Sequence, residues 1–265
     1  TFFFWGVRGQ KIVGPNSRKK LREAGFRGNC SQFIEREIKQ FIEEHLCELI
    51  NDTQTRLLLE AYAPIAEDLV NSVVPEVIST TGLTTLLRQL VAERVSIREF
   101  VTLIQAIAEH HFESEKGSIT GVSSKINHQA IAQIKQYSLL DGHAQKGDTR
   151  ELLATVRIAL RRTISSALMV GAQQVAAIVA DPELDHMLSI SAYSGTPISL
   201  ELRDVLAENL RVLRSDCVAR NVVVVTSRYS RTVLAGILLD REPGIYVVCP
   251  EELCPDVKFE ILGEL

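Results

Sequence analysis

The stretch LVAERVSIREF brings Glu93, Arg94, Ser96, Arg98 and Glu99 within seven positions. A hydroxyl, two cations and two carboxylates so close together suggest reaction chemistry, with Ser96 as a catalytic serine. The order S-x-x-E ahead of an apolar run also has a purely structural meaning. It is a capping box, in which Ser96 accepts from the Glu99 backbone N–H and the Glu99 carboxylate returns to the Ser96 backbone N–H. Val95 and Phe100 flank the box as a hydrophobic staple does. Ser96 and Glu99 are therefore expected to be a helix cap with no part in chemistry. Arg98 is left over, because a cation opposes the positive end of the helix dipole in a first turn.

Other candidates lack partners. GSITGVSSK has glycine, serine and lysine but not the order of a phosphate loop. SRKK satisfies S-x-x-K within a charged stretch and reads as a solvated helix face. His110 and His111 are adjacent, so on a helix they diverge. His45, His128, His143 and His186 show no metal spacing, and no metal or cofactor is expected. CPEEL puts Glu251 and Glu252 after a strand end, where α/β proteins bind ligands, but reads more simply as a turn with solvated carboxylates.

These residues stand in a chain of 265 residues, a length that suggests about two domains. Hydrophobic residues make up 46% and charged residues 23%, which is ordinary globular composition. A net charge of -4 argues against nucleic acid as the main partner, since phosphate binding needs a basic field. The 5 cysteines are odd in number and scattered, so no disulfide framework is expected and a reducing compartment is the natural reading. No apolar run reaches the ~18 residues that span a bilayer. The chain opens on Thr1 inside an apolar stretch, which leads us to expect a piece of something longer.

Residues 1–28 read as one strand (Phe2–Trp5) and one short helix, too little to close a core. From Asn29 to about Leu168 the apolar residues recur at helical spacing. Ile34, Ile38, Phe41, Ile42, Leu46 and Leu49 form one stripe, Leu83, Leu86, Leu87, Leu90 and Val91 a second, and Phe100, Val101, Ile104, Ile107 and Ala108 a third. Asp52 and Thr53 are expected to cap a helix, and Pro64 and Pro75 to mark breaks. Residues 112–147 are bounded by the polar, glycine-bearing ESEKGS and DGHAQKGD and read as an insertion. LLATVRIALRRTI follows as one helix. Beyond residue 169 the period changes. NVVVV is a strand buried on both faces, SRTVLAGILLD a helix and IYVV a second strand, which together make a parallel unit. Ser199 opens a helix carrying Leu202, Val205, Leu206 and Leu213. VKFEIL closes the chain as a strand with Val257, Phe259 and Ile261 on one face. The fold expected is α+β: a helical subdomain at 29–168, then a small α/β subdomain at 169–265.

The order of these segments resembles the FHIPEP family. LLRQLVAERVSIREFVTLIQAIAE is similar to the family's L-x-x-L-x-x-E-x-V-S/P-I-R stretch and the helix after it, with Glu93, Val95, Ser96, Ile97 and Arg98 in place and Glu99 where the pattern has Asp or Asn. TVRIALRRTI resembles its V-R-x-A-L-x-R-x-I helix. VVVVTSRYSRTVLAGILLDREPGIYVVCPEEL resembles a T-x-x-x-R-x-x-L block ending in E-L/I, with Arg231 and Glu252 in place. The resemblance implies the export gate of flagellar and virulence type III secretion systems in the bacterial inner membrane. It implies that residues 1–28 are a remnant of preceding α/β subdomains and that the chain lies on the cytoplasmic side, reaching the membrane only through a missing N-terminal part. It also implies a non-enzymatic ring, typically a homo-nonamer, that docks chaperone–substrate complexes, gatekeeper proteins and the stalk of the ATPase complex. A ring of identical chains needs a contact between unlike patches. Arg98, with Arg157 on the later helix, is expected to meet an acidic side chain of the adjacent subunit there. The competing readings are a cytosolic α/β enzyme with a ligand near Thr226 and Cys249 at the strand ends, and a helical adaptor that forms no ring.

Overall fold

A computed structural model describes residues 30–116, 149–170, 174–215, 222–239, 241–242 and 245–265. The chain divides into two compact units, Thr1–Leu46 and Cys47–Leu265. Of the first unit the structure describes most of helix α1 (Cys30–Leu49), in register with the stripe beginning at Ile34. The strand and helix expected within residues 1–28 lie outside the described residues, as does the expected insertion apart from its first five positions. Those five continue a helix to Lys116.

Among the described residues of the second unit, five helices precede the sheet: α2 (Asp52–Val73), α3 (Thr80–Ala92), α4 (Phe100–Lys116), α5 (Thr149–Ala159) and α6 (Arg161–Leu168). The cap of α2 falls one residue earlier than expected. Asn51 is the N-cap, and its side chain accepts from the Thr53 and Gln54 N–H groups at 3.0 and 3.1 Å. Pro64 leaves a kink at Ala66 rather than an end, since a proline ring removes one helical donor and crowds the preceding turn. The single helix expected around Arg157 is broken at Leu160 into α5 and α6.

The sheet holds β1 (Val175–Val179), β2 (Val222–Val225), β3 (Tyr246–Val248) and β4 (Phe259–Glu264), all parallel, in the order β3-β2-β1-β4. Helix α7 (Pro182–Ser194) follows β1, and α8 (Leu200–Ser215) follows α7. Helix α9 (Arg228–Leu239) joins β2 to β3, and a 3-10 turn at Pro250–Glu252 follows β3. Helix α7 has a clear local signature: Asp181 at the N-cap, Pro182 at the first helical position and Gly195 at φ 70° just past the end. In β4 the expected face is buried only at its start. Val257 is buried and Phe259 packs on the core beside helices α2–α6, but Ile261, still in register opposite Ala177, is 56% exposed on this edge strand.

Side chains alternate across the strands and face two cores. Val175, Ala177, Val223, Val225 and Val248 pack with helices α2–α6 through Leu83, Leu87, Phe100, Ile104, Val156 and Leu160. Ala176, Ile178, Val222, Val224 and Val247 pack with α7, α8 and α9 through Leu184, Leu188, Leu210, Leu234 and Leu238. Each Val, Leu, Ile or Phe among them contributes about 1.5–3 kcal/mol relative to exposure. The helical part is thus the layer on one face of the sheet. The division near residue 168 is a change of secondary structure within continuous packing.

Candidate functional site

Helix α3 ends in a Schellman motif. The Arg94 N–H donates to the Val91 carbonyl at 2.9 Å and the Val95 N–H to the Leu90 carbonyl at 2.8 Å. Arg94 takes the left-handed conformation this requires, φ 59°, without being glycine. Glu93, at the C-cap, is thereby held at the helix end with its side chain 11% exposed.

There it meets three residues from distant parts of the sequence. Glu93 Oε2 accepts from Arg157 Nη1 and Arg231 Nη1, both at 2.7 Å. Arg157 Nε and Nη2 bind the two carboxylate oxygens of Glu252 at 2.7 Å each, and Arg231 Nε lies 3.0 Å from Glu252 Oε1. The ring is neutral, with two guanidiniums and two carboxylates. Spare groups are also engaged: Arg157 Nη2 donates to the Val247 carbonyl at 3.2 Å, Arg231 Nη2 to Thr232 Oγ1 at 3.0 Å, and the Cys249 N–H to Glu252 Oε2 at 3.4 Å. Arg157 and Arg231 are each 1% exposed and Glu252 is fully buried. The cluster joins α3 and α5 of the helical layer to α9 and the turn after β3.

Its electrostatics are those of a lock. Burial pushes the Glu252 carboxyl upward, but Arg157 and Arg231 outweigh it and hold the group below the usual carboxylate range. Burial works against the Arg157 cation, yet Glu252 and Glu93 raise its affinity for the proton above the ordinary value. Burial, then Glu252, drives the neighbouring Cys249 thiol well above its usual range, so Cys249 is a poor thiolate source. A second buried cluster lies nearby. Asp185 Oδ1 accepts from Thr226 Oγ1 at 2.6 Å, from the Ser227 N–H at 3.0 Å and from Ser230 Oγ. Thr226 and Cys249, which an enzyme would use at the strand ends, are thus committed to the interior.

Three sequence expectations are corrected here. The Ser96–Glu99 capping box is replaced by another arrangement. Helix α4 begins at Phe100, Ser96 Oγ accepts from the Arg98 N–H at 3.4 Å, and the Glu99 carbonyl takes the first helical bond, from Leu103. Arg157 is not a surface residue open to a neighbouring subunit. Its guanidinium is enclosed within the chain's own ion ring. Glu252 is not solvated, because the 3-10 turn directs it inward onto two arginines.

Arg98 stands apart. The 95–99 segment belongs to no helix or strand. Val95 and Ile97 pack into the core, and Arg98 is exposed. The Tyr62 hydroxyl donates to its backbone carbonyl at 3.2 Å, which fixes the segment to α2. Among the described residues the Arg98 guanidinium has no partner. No group of three His, Cys, Asp or Glu side chains suited to a metal ion occurs among the described residues, and no described helix is long and apolar enough to cross a membrane.

A model of the FHIPEP family matches residues 8–138. The flagellar biosynthesis proteins FlhA of Yersinia enterocolitica and of Escherichia coli K12 are 24% and 25% identical over 225 residues, 84% of this chain. The chain spans 28% of the length of each. Among solved structures, nonameric EPEC SctV-C superposes with a TM-score of 0.69 at 19% identity, covering 96% of this chain and 69% of that one. The Chlamydia pneumoniae CdsV protein superposes with a TM-score of 0.67 at 19% identity, covering 96% and 65%. The likeness to these two is one of fold. All four members of the buried ring, Glu93, Arg157, Arg231 and Glu252, are charged positions of the motifs that carry the family resemblance.

Proposed function

The chain belongs to the FHIPEP family, and we propose that it forms part of the cytoplasmic ring of a type III protein secretion export gate. The observation that carries this reading is the buried ring itself. The family's scattered charged positions close into one lock that holds the helical layer on the α/β layer, and they form no reaction centre. A platform that docks other proteins needs such rigidity and needs no catalytic group. The fold likeness to a nonameric domain supports a ring of this chain, at the cytoplasmic face of the inner membrane. The FHIPEP reading extends to docking of chaperone–substrate complexes, gatekeepers and the ATPase-complex stalk. A solved complex of CdsV with CdsO supports docking of a protein partner.

Within this reading Arg98 makes the contact between adjacent subunits. It is exposed, its backbone is anchored by Tyr62, and its guanidinium can grip a carboxylate with two parallel bonds. Arg98→Glu is expected to weaken ring formation, measured by light scattering at matched concentration, and to reduce secretion in cells. The melting temperature of the monomer should stay nearly unchanged. Ring formation equal to that of the parent chain would remove Arg98 from the interface.

A further inference from the structure

Outside the ion ring, one feature of the α/β layer has no role in the fold. A groove of about 330 Å³ runs between the turn after α7 and the flank of α9. That volume lies at the small end of ligand pockets, roughly 300–1,000 Å³, and suits two or three side chains. Its apolar part comes from Ile198, Val233 and Ile237, and Arg150 and Arg203 line it as well.

Gly236 is the informative residue. It sits inside α9, where glycine is a poor helix former. Its φ is not positive, so no turn requires it. A Cβ at this position would meet nothing within 4 Å, so no close packing within the chain requires it either. The space it leaves open is the groove. Arg203 is the second observation. Its Nε donates to the Ile198 carbonyl at 3.2 Å, which holds the half-buried side chain in the groove wall. Its two terminal nitrogens have no partner among the described residues. A planar cation fixed this way presents a two-pronged site for a carboxylate.

We propose that this groove docks a short acidic peptide segment of a partner protein, with an apolar side chain beside its carboxylate. The carboxylate pairs with Arg203, Arg150 adds a second cation at the rim, and the apolar side chain lies on Val233 and Ile237. Gly236 lets the guest backbone approach α9. An inorganic anion would leave the apolar floor unused, and the chain's net charge of -4 disfavours a polyanion such as nucleic acid. The inference rests on neither ring formation nor Arg98.

The test selects short random peptides displayed on phage against the full chain, then measures the enriched peptide by fluorescence anisotropy. Acidic peptides carrying an apolar residue should be enriched. Arg203→Glu and Gly236→Leu should each weaken binding at least about tenfold, and added salt should weaken it further. Leucine is a good helix former, so Gly236→Leu fills the groove without breaking α9, which circular dichroism can verify. Arg162→Glu, an exposed charge reversal on α6 away from the groove lining, should bind as the parent does. Failure to enrich any peptide, enrichment of peptides without carboxylates, or binding indifferent to both groove variants would overturn the proposal.

Discussion

The two faces of the sheet are covered alike by aliphatic side chains, yet each is pinned by a different kind of buried charge. On the side of helices α2–α6 the pin is a ring of four full charges from positions 93, 157, 231 and 252. On the side of α7 it is one carboxylate, Asp185, satisfied by hydroxyls and a backbone N–H from the turn into α9. Helix α9 serves both, since its adjacent residues Ser230 and Arg231 reach the two pins. The difference lies in what a lost partner leaves behind. In the ring, each member's removal strands opposite charges in the interior. In the Asp185 cluster the donors are neutral and already contact one another, with Thr226 Oγ1 and Ser230 Oγ 2.9 Å apart and Ser227 Oγ and Ser230 Oγ 2.7 Å apart.

That contrast sets the largest expected effect. Arg157→Met removes both bonds to Glu252, the bond to Glu93 and the donor to the Val247 carbonyl. The cost should be about 3–5 kcal/mol in urea unfolding, as for other buried pairs broken on one side. Asp185→Ala should cost less, about 1–3 kcal/mol, because the stranded hydroxyls can re-pair. A larger loss for Asp185→Ala than for Arg157→Met would reverse the ranking and the comparison with it.

Acid sharpens the same contrast. The folded state holds Glu252 below its ordinary range, so it favours the ionised form. The resulting stability is fully present above the unfolded carboxyl value, about 4.3, and is lost as pH falls through the lower folded value. Glu252→Gln removes that dependence. The stability gap between parent and Glu252→Gln should be constant near neutral pH and narrow below about pH 4.3. A gap that widens in acid would mean that Glu252 is not held ionised by its arginines.

Why the sequence reveals one pin poorly and the fold well follows from the range of the forces. The stripes at Leu83–Leu90 and Phe100–Ala108 report local burial, and those helices are where the period puts them. NVVVV is β-branched and reads as a strand. VAAIV, the central strand β1, is not marked in this way, because its alanines carry little strand preference and its place is set by neighbours. Glu252 looked solvated because nothing within CPEEL announces two arginines 95 and 21 positions away. Arg98 and Arg157 share one expected role as motif cations, yet one is exposed on a segment outside any helix or strand and the other is buried. The pairing of residues 93, 157, 231 and 252 is long-range information that no window of local pattern holds.

The smallest expected effect concerns the residue that aims Glu93. Arg94 is the left-handed position of the Schellman turn, φ 59°, and carries a Cβ there. A left-handed L-residue costs roughly 1–2 kcal/mol relative to the right-handed region. Glycine removes that cost but adds unfolded-chain entropy worth about 0.4–1 kcal/mol. Arg94→Gly should therefore lie within about 1 kcal/mol of the parent, on the stabilising side. Arg94→Val adds β-branching to the same backbone and should be destabilising, by a further 1 kcal/mol or so. The Arg94 side chain is exposed, so the pair reads backbone conformation rather than lost contacts. Equal stability of the glycine and valine variants would mean that the turn relaxes out of the left-handed region. Glu93 would then owe its place in the ring to the arginines alone and not to the end of α3.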